Sequence, residues 1–259
     1  MMTMLATGWA ISATAFLLTW IACVKLKNYG YLDVIWSYSV ALLAPIYAVA
    51  GTGLPLRKWL FAAAGTAWSL RLGTYLLRRV CKHHPQEDTR YTTLRQRWPG
   101  PGMFLVFFQV QAVIATLFSL PFLLAALDAS SVLHPLEWTG LGLALTALAG
   151  ESLADRQMAR FKSDPANRGK VCEAGLWGYS RHPNYFFEAL LWVGFSLAAL
   201  PLTLGWVTLA CPLLMLYFLF KVTGIPLTEQ HSVQSKGDLY RDYQRRVNAF
   251  VPWFPRISP

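Results

Sequence analysis

Seven apolar segments, separated by shorter polar stretches, divide the chain. The first runs from Met1 to Val24 without a charged residue. About 20 helical residues cross a hydrocarbon core of about 30 Å, so this segment is long enough to span a bilayer. Lipid cannot satisfy backbone polar groups, and strand-like alternation is absent, so the pattern predicts helices rather than a β-barrel. The six further segments lie approximately at Tyr31–Ala50, Trp59–Leu77, Met103–Leu127, Leu136–Leu153, Tyr185–Leu200 and Leu202–Val222.

The composition supports a membrane protein. The chain has 259 residues, of which 55% are hydrophobic and 14% are charged, whereas soluble domains carry about 25% charged residues. The first basic residue is Lys25, so the basic region of a cleaved signal peptide is missing and we expect an uncleaved first span. We predict one all-α membrane domain over residues 1–259, with seven transmembrane helices.

The basic residues predict the orientation of these helices. All 23 lysines and arginines except Arg57, Lys58 and Arg71 fall in the loops after the first, third and fifth segments or in the C-terminal segment. The positive-inside rule then places the N-terminus outside and the C-terminus in the cytoplasm. For a bacterial chain this membrane would be the inner, cytoplasmic one. The net charge of +10 does not indicate nucleic acid, because the sequence contains no recognised nucleic-acid-binding module. The four cysteines lack zinc-ligand spacing, and we predict no metal site.

Five acidic residues lie in or at the edge of apolar segments, where a carboxylate at the bilayer centre costs about 2.5–3.5 kcal/mol. They are Asp33, Glu151, Asp155, Glu188 and Glu229. Such residues either line a functional cavity or make polar contacts between helices, and the pattern leaves both interpretations open. Arg71, inside the third segment, needs an anion. Asp33 and a ligand phosphate are both candidates.

The densest chemistry lies between Glu173 and Glu188, where a basic loop meets the sixth apolar segment. The part from Tyr179 to Glu188 contains a cation, an imidazole, an amide, two phenols and a carboxylate. Charged groups at the mouth of a membrane helix are costly, so we expect this segment to bind a ligand. The alternative is an interfacial cap, with Pro183 opening the sixth helix.

This segment resembles the signature of membrane sterol reductases, which reads roughly Gly-x-Trp-Gly-x-x-Arg-His-x-Asn-Tyr-x-x-acid. The matching positions are Gly175, Trp177, Gly178, Arg181, His182, Asn184, Tyr185 and Glu188, with Glu188 in place of the more usual Asp. Steroid 5α-reductases carry a looser version, and further positions that resemble theirs are Asp155, Lys162, Tyr240, Tyr243, Arg246 and Val251-Pro252-Trp253. The chain thus resembles a bacterial, DUF1295-like member of the steroid 5α-reductase family, well over about residues 145–254 and weakly before them.

The resemblance implies NADPH as cofactor, a cofactor-binding half over residues 131–259 and substrate-side helices over residues 1–130. Arginine forks suit the phosphates of NADPH, and the absence of Gly-x-Gly-x-x-Gly excludes a Rossmann domain. The cofactor would therefore be held by helix ends and loops on the cytoplasmic side. The implied cofactor-binding residues are Arg71, Asp155, Lys162, Arg168, Lys170, Trp177, Tyr179, Arg181, His182, Asn184, Tyr185, Glu188, Glu229, His231, Tyr240, Tyr243 and Arg246.

The implied reaction is hydride transfer to the β-carbon of a conjugated enone, as in a 3-oxo-Δ4-steroid. The enolate oxygen then needs a hydrogen-bond donor. Steroid 5α-reductases use an acid on the second span and a tyrosine on the third, but Trp68 stands where that tyrosine is expected. The candidate catalytic residues are Asp33, Tyr38 and Tyr75, and Trp36 and Trp68 are candidates for the wall of the substrate pocket. No obligate protein partner is indicated.

Two other functional classes share part of this pattern. Isoprenylcysteine carboxyl methyltransferases also carry Arg-His-Pro-x-Tyr and a later Glu before Tyr-x-x-Tyr, as in Glu229, Tyr240 and Tyr243. Their cofactor, S-adenosylmethionine, has no phosphate and does not need the long basic stretch after the fifth segment. A non-enzymatic sterol-binding protein would keep the fold and bind lipid without oxidising a cofactor.

Overall fold

The computed structural model describes residues 1–98, 100–222 and 224–256. Within those ranges the chain forms helices and connecting loops, and no strand. The α-helices are α1 (Met2–Leu26), α2 (Tyr31–Ala50), α3 (Pro55–His83), α4 (Thr89–Arg97), α5 (Pro101–Phe118), α6 (Leu120–Leu127), α7 (Pro135–Ser163), α8 (Pro183–Ala199), α9 (Ala210–Tyr217), α10 (Ile225–Lys236) and α11 (Asp238–Arg246). Short 3₁₀ turns lie at Pro165–Asn167, Gly175–Gly178 and Gly205–Leu209, and a π-helical turn lies at Phe218–Val222.

Local sequence explains where several helices begin and end. Proline occupies the first turn of α3, α5 and α8, where a missing backbone N–H is tolerated. Asp88 caps α4 by accepting a hydrogen bond from the backbone N–H of Arg90 at 3.0 Å. The segment predicted as one helix over Met103–Leu127 is two helices that meet at Ser119. The break fits Pro121, which cannot donate a backbone hydrogen bond to the end of α5.

Each predicted apolar segment coincides with helical structure. Among the described residues, four helices are long and apolar enough to cross a membrane, as expected for an integral membrane protein. They are Met2–Leu26, Tyr31–Ala50, Pro101–Phe118 and the stretch Gly205–Lys236. The crossing of the other three segments, in α3, α7 and α8, remains a prediction, and so does the orientation.

The chain separates into two compact units, and the first contains Met1–His134 with Pro201–Thr208. Its core includes residues from α1, α2, α4 and α5, with the ring of Tyr29 stacked on Phe104 at 3.8 Å between centroids. A buried ion pair joins Arg57 to Asp128 at 3.2 Å. Arg57 also donates to the backbone carbonyls of Ser130 and Val132, so this buried cation is well satisfied.

The second unit contains Pro135–Leu200 with Leu209–Pro259. In it α7 packs along α8 at very close range. A Cβ atom on Gly194 would lie 2.7 Å from the backbone nitrogen of Ala144 and 2.8 Å from the carbonyl of Gly140. Small residues allow helix backbones to approach in this way. After α10, the chain packs Tyr240, Tyr243 and Val247 into a small separate core.

Candidate functional site

The loop before α8 is anchored to the end of α7. The indole N–H of Trp177 donates to the backbone carbonyl of Ala154 at 2.9 Å, and Gln157 accepts from the backbone N–H of Leu176 at 2.9 Å. Gly175 has φ +59, a backbone conformation that favours glycine. The Gly-x-Trp-Gly part of the motif therefore fixes the position at which the chain enters α8.

Arg181 connects this loop to the C-terminal segment. Its guanidinium donates through Nε to Glu229 at 2.6 Å and through Nη1 to the carbonyls of Gln244 and Val247 at 3.0 and 2.6 Å. Its backbone N–H donates to the carbonyl of Asn248 at 2.8 Å. The planar fork thus satisfies carbonyls at the end of α11, which a helix C-terminus leaves without internal partners.

Glu229, on α10, is shared by three side chains. Arg181 is one, His182 Nε2 lies 3.2 Å from the same carboxylate oxygen, and Gln244 donates to the other oxygen at 2.8 Å. His182 and Arg181 lie 47 and 48 positions before Glu229 in the sequence, and the fold brings the three side chains together. The predicted site residues Arg181, His182 and Glu229 form one cluster, which we call the Glu229 cluster.

The first turn of α8 lies beside this cluster. The rings of His182 and Tyr185 stack at 5.3 Å with 3° between their planes, and the hydroxyl of Tyr185 lies 3.4 Å from that of Thr228. Asn184 Oδ1 is buried, and in the ranges that the structure describes it has no hydrogen-bond donor. Glu188, one turn further on, is buried and accepts from the indole N–H of Trp192 at 3.0 Å.

Two tyrosines of the C-terminal segment are buried against the motif. The hydroxyl of Tyr243 donates to the backbone carbonyl of Trp177, and burial raises the pKa of Tyr243 well above its ordinary value. Burial, with the negative charge of Glu229, raises the pKa of Tyr240 to about 12. Both phenols therefore stay protonated near neutral pH. Tyr243 acts as a structural donor rather than a group exposed to a ligand.

Arg246 is also engaged internally. It donates to both carboxylate oxygens of Glu173 at 2.9 and 3.0 Å and to Asp242 at 2.8 Å. The hydrogen bonds that Arg246 donates to Glu173 and Asp242 raise the pKa of Arg246 above its ordinary value. Of the other predicted cofactor residues, Asp155 is buried on α7, and the exposed ones are Lys162, Arg168, Lys170, Tyr179 and His231. The structure does not bring these exposed side chains into the Glu229 cluster.

In the first unit, Asp33 is held by residues of α4. Its carboxylate accepts from Arg90 Nη2 at 2.6 Å and from the hydroxyl of Tyr91 at 2.7 Å. Arg90 also donates to Asp88 at 3.0 Å. The structure pairs Asp33 with Arg90, a partner that was not predicted from the sequence. The pair forms because α4, a polar segment outside the apolar pattern, packs back against the start of α2. Asp33 and a ligand phosphate remain the two predicted anions for Arg71.

The remaining candidates also lie on α2 and α3. The hydroxyl of Tyr38 lies 3.0 Å from that of Thr74, and its ring lies against Gly73, where a Cβ atom would be 2.6 Å away. Trp68 is buried, Trp36 is half-buried against Phe118, Tyr75 is 42% exposed and Arg71 is half-buried. Tyr38 is therefore a candidate phenol whose hydroxyl is held by a neighbouring side chain.

Comparison with known proteins places the chain in a family. A family model described as "Protein of unknown function (DUF1295)" matches residues 19–247. The chain belongs to the DUF1295 family. An uncharacterized protein of Schizosaccharomyces pombe is 28% identical over 268 residues, covering 92% of this chain and 76% of the relative. No solved structure matches the chain.

Several residues at the sites of this DUF1295 protein were not predicted from its sequence. They are Arg90 and Tyr91, which hold Asp33, and Gln244, which holds Glu229. Asp88 directly before a polar helical stretch is a capping signal that predicts the start of α4. Nothing in the local pattern around Gln244 indicates its partner, because the contact joins two helices through a fold-dependent turn.

Proposed function

We propose that this DUF1295 protein is a membrane reductase that uses NADPH to saturate the carbon–carbon double bond of a conjugated enone lipid, such as a 3-oxo-Δ4-steroid. The observation that carries the proposal is the buried carbonyl oxygen of Asn184, which has no hydrogen-bond donor in the described part of the chain. A buried acceptor without a donor costs about 1–3 kcal/mol. A bound carboxamide, such as that of nicotinamide, would supply the missing N–H.

The surroundings of Asn184 fit a dinucleotide. Arg181 and His182, which precede it in the chain, are held by Glu229 and fix the first turn of α8, and Glu188 follows one turn later. The exposed Lys162, Arg168 and Lys170 would attract phosphates by charge. In this proposal Asn184 binds the nicotinamide amide, Asp155 and Glu188 bind ribose hydroxyls, and Tyr185 packs against a ring. NADPH would supply the hydride.

The substrate chemistry is assigned to the first unit. An enolate oxygen needs a donor within hydrogen-bond distance, in a site that excludes water. The hydroxyl of Tyr38 on α2 is positioned by Thr74, and the other candidate phenol, Tyr75, lies on α3. Asp33 is ion-paired with Arg90, so it serves as a carboxylate that fixes Arg90 and Tyr91 rather than as the acid itself. Trp36 and Trp68 would form apolar walls.

The decisive experiment measures NADPH binding by calorimetry to the full chain in detergent, with Asn184→Leu as the test variant. Leucine removes an acceptor that has no internal donor, so the variant should melt at the same or a higher temperature. We expect it to lose NADPH binding by tenfold or more. Ser12→Ala is the matched control, because Ser12 Oγ is also buried without a partner in the described residues and lies on α1. Wild-type affinity for NADPH in the folded Asn184→Leu variant would refute the site.

One observation also favours a methyltransferase. The contact of Glu229 with Arg181 and His182 joins the residues that this chain shares with isoprenylcysteine carboxyl methyltransferases. The same calorimetry with S-adenosylmethionine decides between the two functions. Tight binding of S-adenosylmethionine, with no binding of NADPH, would replace the reductase by the methyltransferase.

A further inference from the structure

A small cavity lies at the C-terminal end of α11, with a volume of about 170 Å³. The last turn of α11 and the residues that follow it form its wall. Four arginines line it: Arg181, Arg245, Arg246 and Arg256. Neither Arg245 nor Arg256 has a role in the proposed reduction.

The cavity carries an excess of positive charge. Arg181 pairs with Glu229, and Arg246 pairs with Glu173 and Asp242. Arg245 shares the Asp242 carboxylate at 3.1 Å. The side chain of Arg256 is exposed and has no partner among the residues that the structure describes. Within those residues, four guanidinium groups are thus matched by three carboxylates.

Four of the backbone carbonyls around the cavity already have donors. Arg181 uses Nη1 for the carbonyls of Gln244 and Val247 and its backbone N–H for that of Asn248. The backbone N–H of Arg256 donates to the carbonyl of Arg246 at 2.8 Å. The polar groups left for a ligand are therefore mainly guanidinium donors, which suit an anion with several oxygens.

An exposed apolar patch adjoins this cavity. Val251, Trp253 and Phe254 are 54, 65 and 73% exposed. The patch is fixed in place, because the backbone N–H of Trp253 donates to the carbonyl of Tyr179 at 2.9 Å and the rings of Tyr179 and Phe254 meet at 6.0 Å. Only one residue separates Phe254 from Arg256, and only one separates Tyr179 from Arg181, so the chain connects patch and cavity at two points. Exposed tryptophan beside arginine is typical of the membrane–water interface.

We propose that this cavity binds the phosphate of an anionic phospholipid headgroup, with Trp253 and Phe254 lying at the level of the adjoining acyl chains. The excess of positive charge in the cavity and the adjoining apolar patch fit a molecule that is anionic at one end and apolar at the other. The volume of about 170 Å³ is below the roughly 300–1,000 Å³ of pockets that enclose drug-sized ligands. It therefore accommodates a headgroup phosphate and not a whole dinucleotide. This site does not depend on the proposed reductase activity.

The test uses the full chain purified from membranes that contain equal amounts of phosphatidylglycerol and phosphatidylcholine, with the retained lipid counted by native mass spectrometry. We expect wild type to retain phosphatidylglycerol over phosphatidylcholine by about thirtyfold, which corresponds to about fivefold for each of two arginines at an anionic lipid. Arg245→Gln/Arg256→Gln should bring the ratio close to one. Arg256→Gln alone, which breaks no ion pair among the residues that the structure describes, should lower it part of the way.

Two controls make the result specific. Arg241→Gln removes a charge from the same helix, where Arg241 pairs with Asp238 outside the cavity, and should leave the lipid ratio unchanged. Trp253→Ser/Phe254→Ser should reduce the total lipid retained without changing the ratio.

Equal retention of the two lipids by wild type would overturn the proposal, as would an unchanged ratio in the double arginine variant. A separate experiment measures the binding of adenosine 2′,5′-bisphosphate to wild type and to the double arginine variant. If the bisphosphate binds wild type, fails to bind the double variant and no lipid preference is seen, then the cavity is a nucleotide-phosphate site and the lipid assignment is wrong.

Discussion

Asp33 is a carboxylate near the start of α2 whose two partners both come from α4. We expect Asp33→Asn to retain NADPH binding and to lose most of its turnover on an enone steroid, because the amide cannot hold both Arg90 and Tyr91 as the carboxylate does. The measurement is NADPH consumption beside calorimetric binding. Arg90→Gln is the matched control, since it breaks the same ion pair and leaves the acid.

These two variants separate a chemical role from a structural one. We expect similar losses of turnover in Asp33→Asn and Arg90→Gln, because Asp33 acts by fixing Arg90 and Tyr91. A loss in Asp33→Asn alone would show that the carboxyl group itself takes part in the reaction. Full activity in Asp33→Asn would remove Asp33 from the mechanism.

Asp88, at the start of α4, should make the stability of the protein depend on pH. Burial alone would raise the pKa of Asp88, but hydrogen bonds and charge from Arg90, with the charge of Arg79, lower it below its usual value of 3.8. A lowered folded-state pKa contributes stability that is complete above the unfolded value and is lost as the pH falls through the folded value. Asparagine also caps helices, so Asp88→Asn isolates the charge.

We therefore expect wild type to be more stable than Asp88→Asn by about 0.2–1 kcal/mol near neutral pH, the range for partly exposed ion pairs. The difference should shrink below about pH 4. Melting temperatures of both proteins in detergent, measured across this range, test it. A difference that grows as the pH falls would contradict the assigned cause.

At the scale of helices, the packing of α7 on α8 depends on glycine. Gly140 lies against the backbone of α8, whereas Gly142, on the same helix, has open space where a Cβ atom would be. We expect Gly140→Val to destabilise the protein by about 1–3 kcal/mol or more through overpacking. Gly142→Val carries the same change in helix propensity without the clash. Melting temperatures of the two variants should differ clearly, and equal values would show that the helices do not pack this closely.

The helices could be predicted where the sequence is apolar and not where it is polar. Uninterrupted apolar runs such as Tyr31–Ala50 match helix boundaries, since backbone groups in an apolar environment must pair internally. The break at Ser119 was missed, although Pro121 marks it. So was α11, whose Tyr240, Tyr243 and Val247 recur at helical spacing. This spacing indicates a short amphipathic helix, but the pattern is weak in a sequence dominated by longer apolar runs.

The sequence indicated which residues belong to the candidate site, but not which residues they contact. The motif from Gly175 to Glu188 identified Arg181 and His182, and the resemblance added Glu229, which the structure places against both. The motif did not indicate that Arg181 donates to carbonyls at the end of α11, because backbone carbonyls are the same in every residue and leave no pattern in the sequence. Asp33 was found for its charge in an apolar segment, but Arg90 lies 57 residues away.

For the whole molecule, the distribution of basic residues predicts that the loop after α3 is cytoplasmic and the loop after α6 is outside. Cys81 is exposed, whereas Cys23, Cys172 and Cys211 are buried. A membrane-impermeant maleimide should therefore label Cys81 only after the cells are permeabilised. Ser131→Cys in a Cys81→Ser background should be labelled in intact cells, because Ser131 is exposed in the loop after α6. The reverse pattern would invert the topology.

The most direct test of the reductase assignment is turnover by the purified full-length protein with NADPH deuterated at the transferring position and a 3-oxo-Δ4-steroid. The account predicts consumption of NADPH and a saturated product that carries deuterium on the β-carbon, both lost in Asn184→Leu. A folded, lipid-bound protein that oxidises no NADPH with any conjugated enone, and instead transfers a methyl group from S-adenosylmethionine, would contradict it.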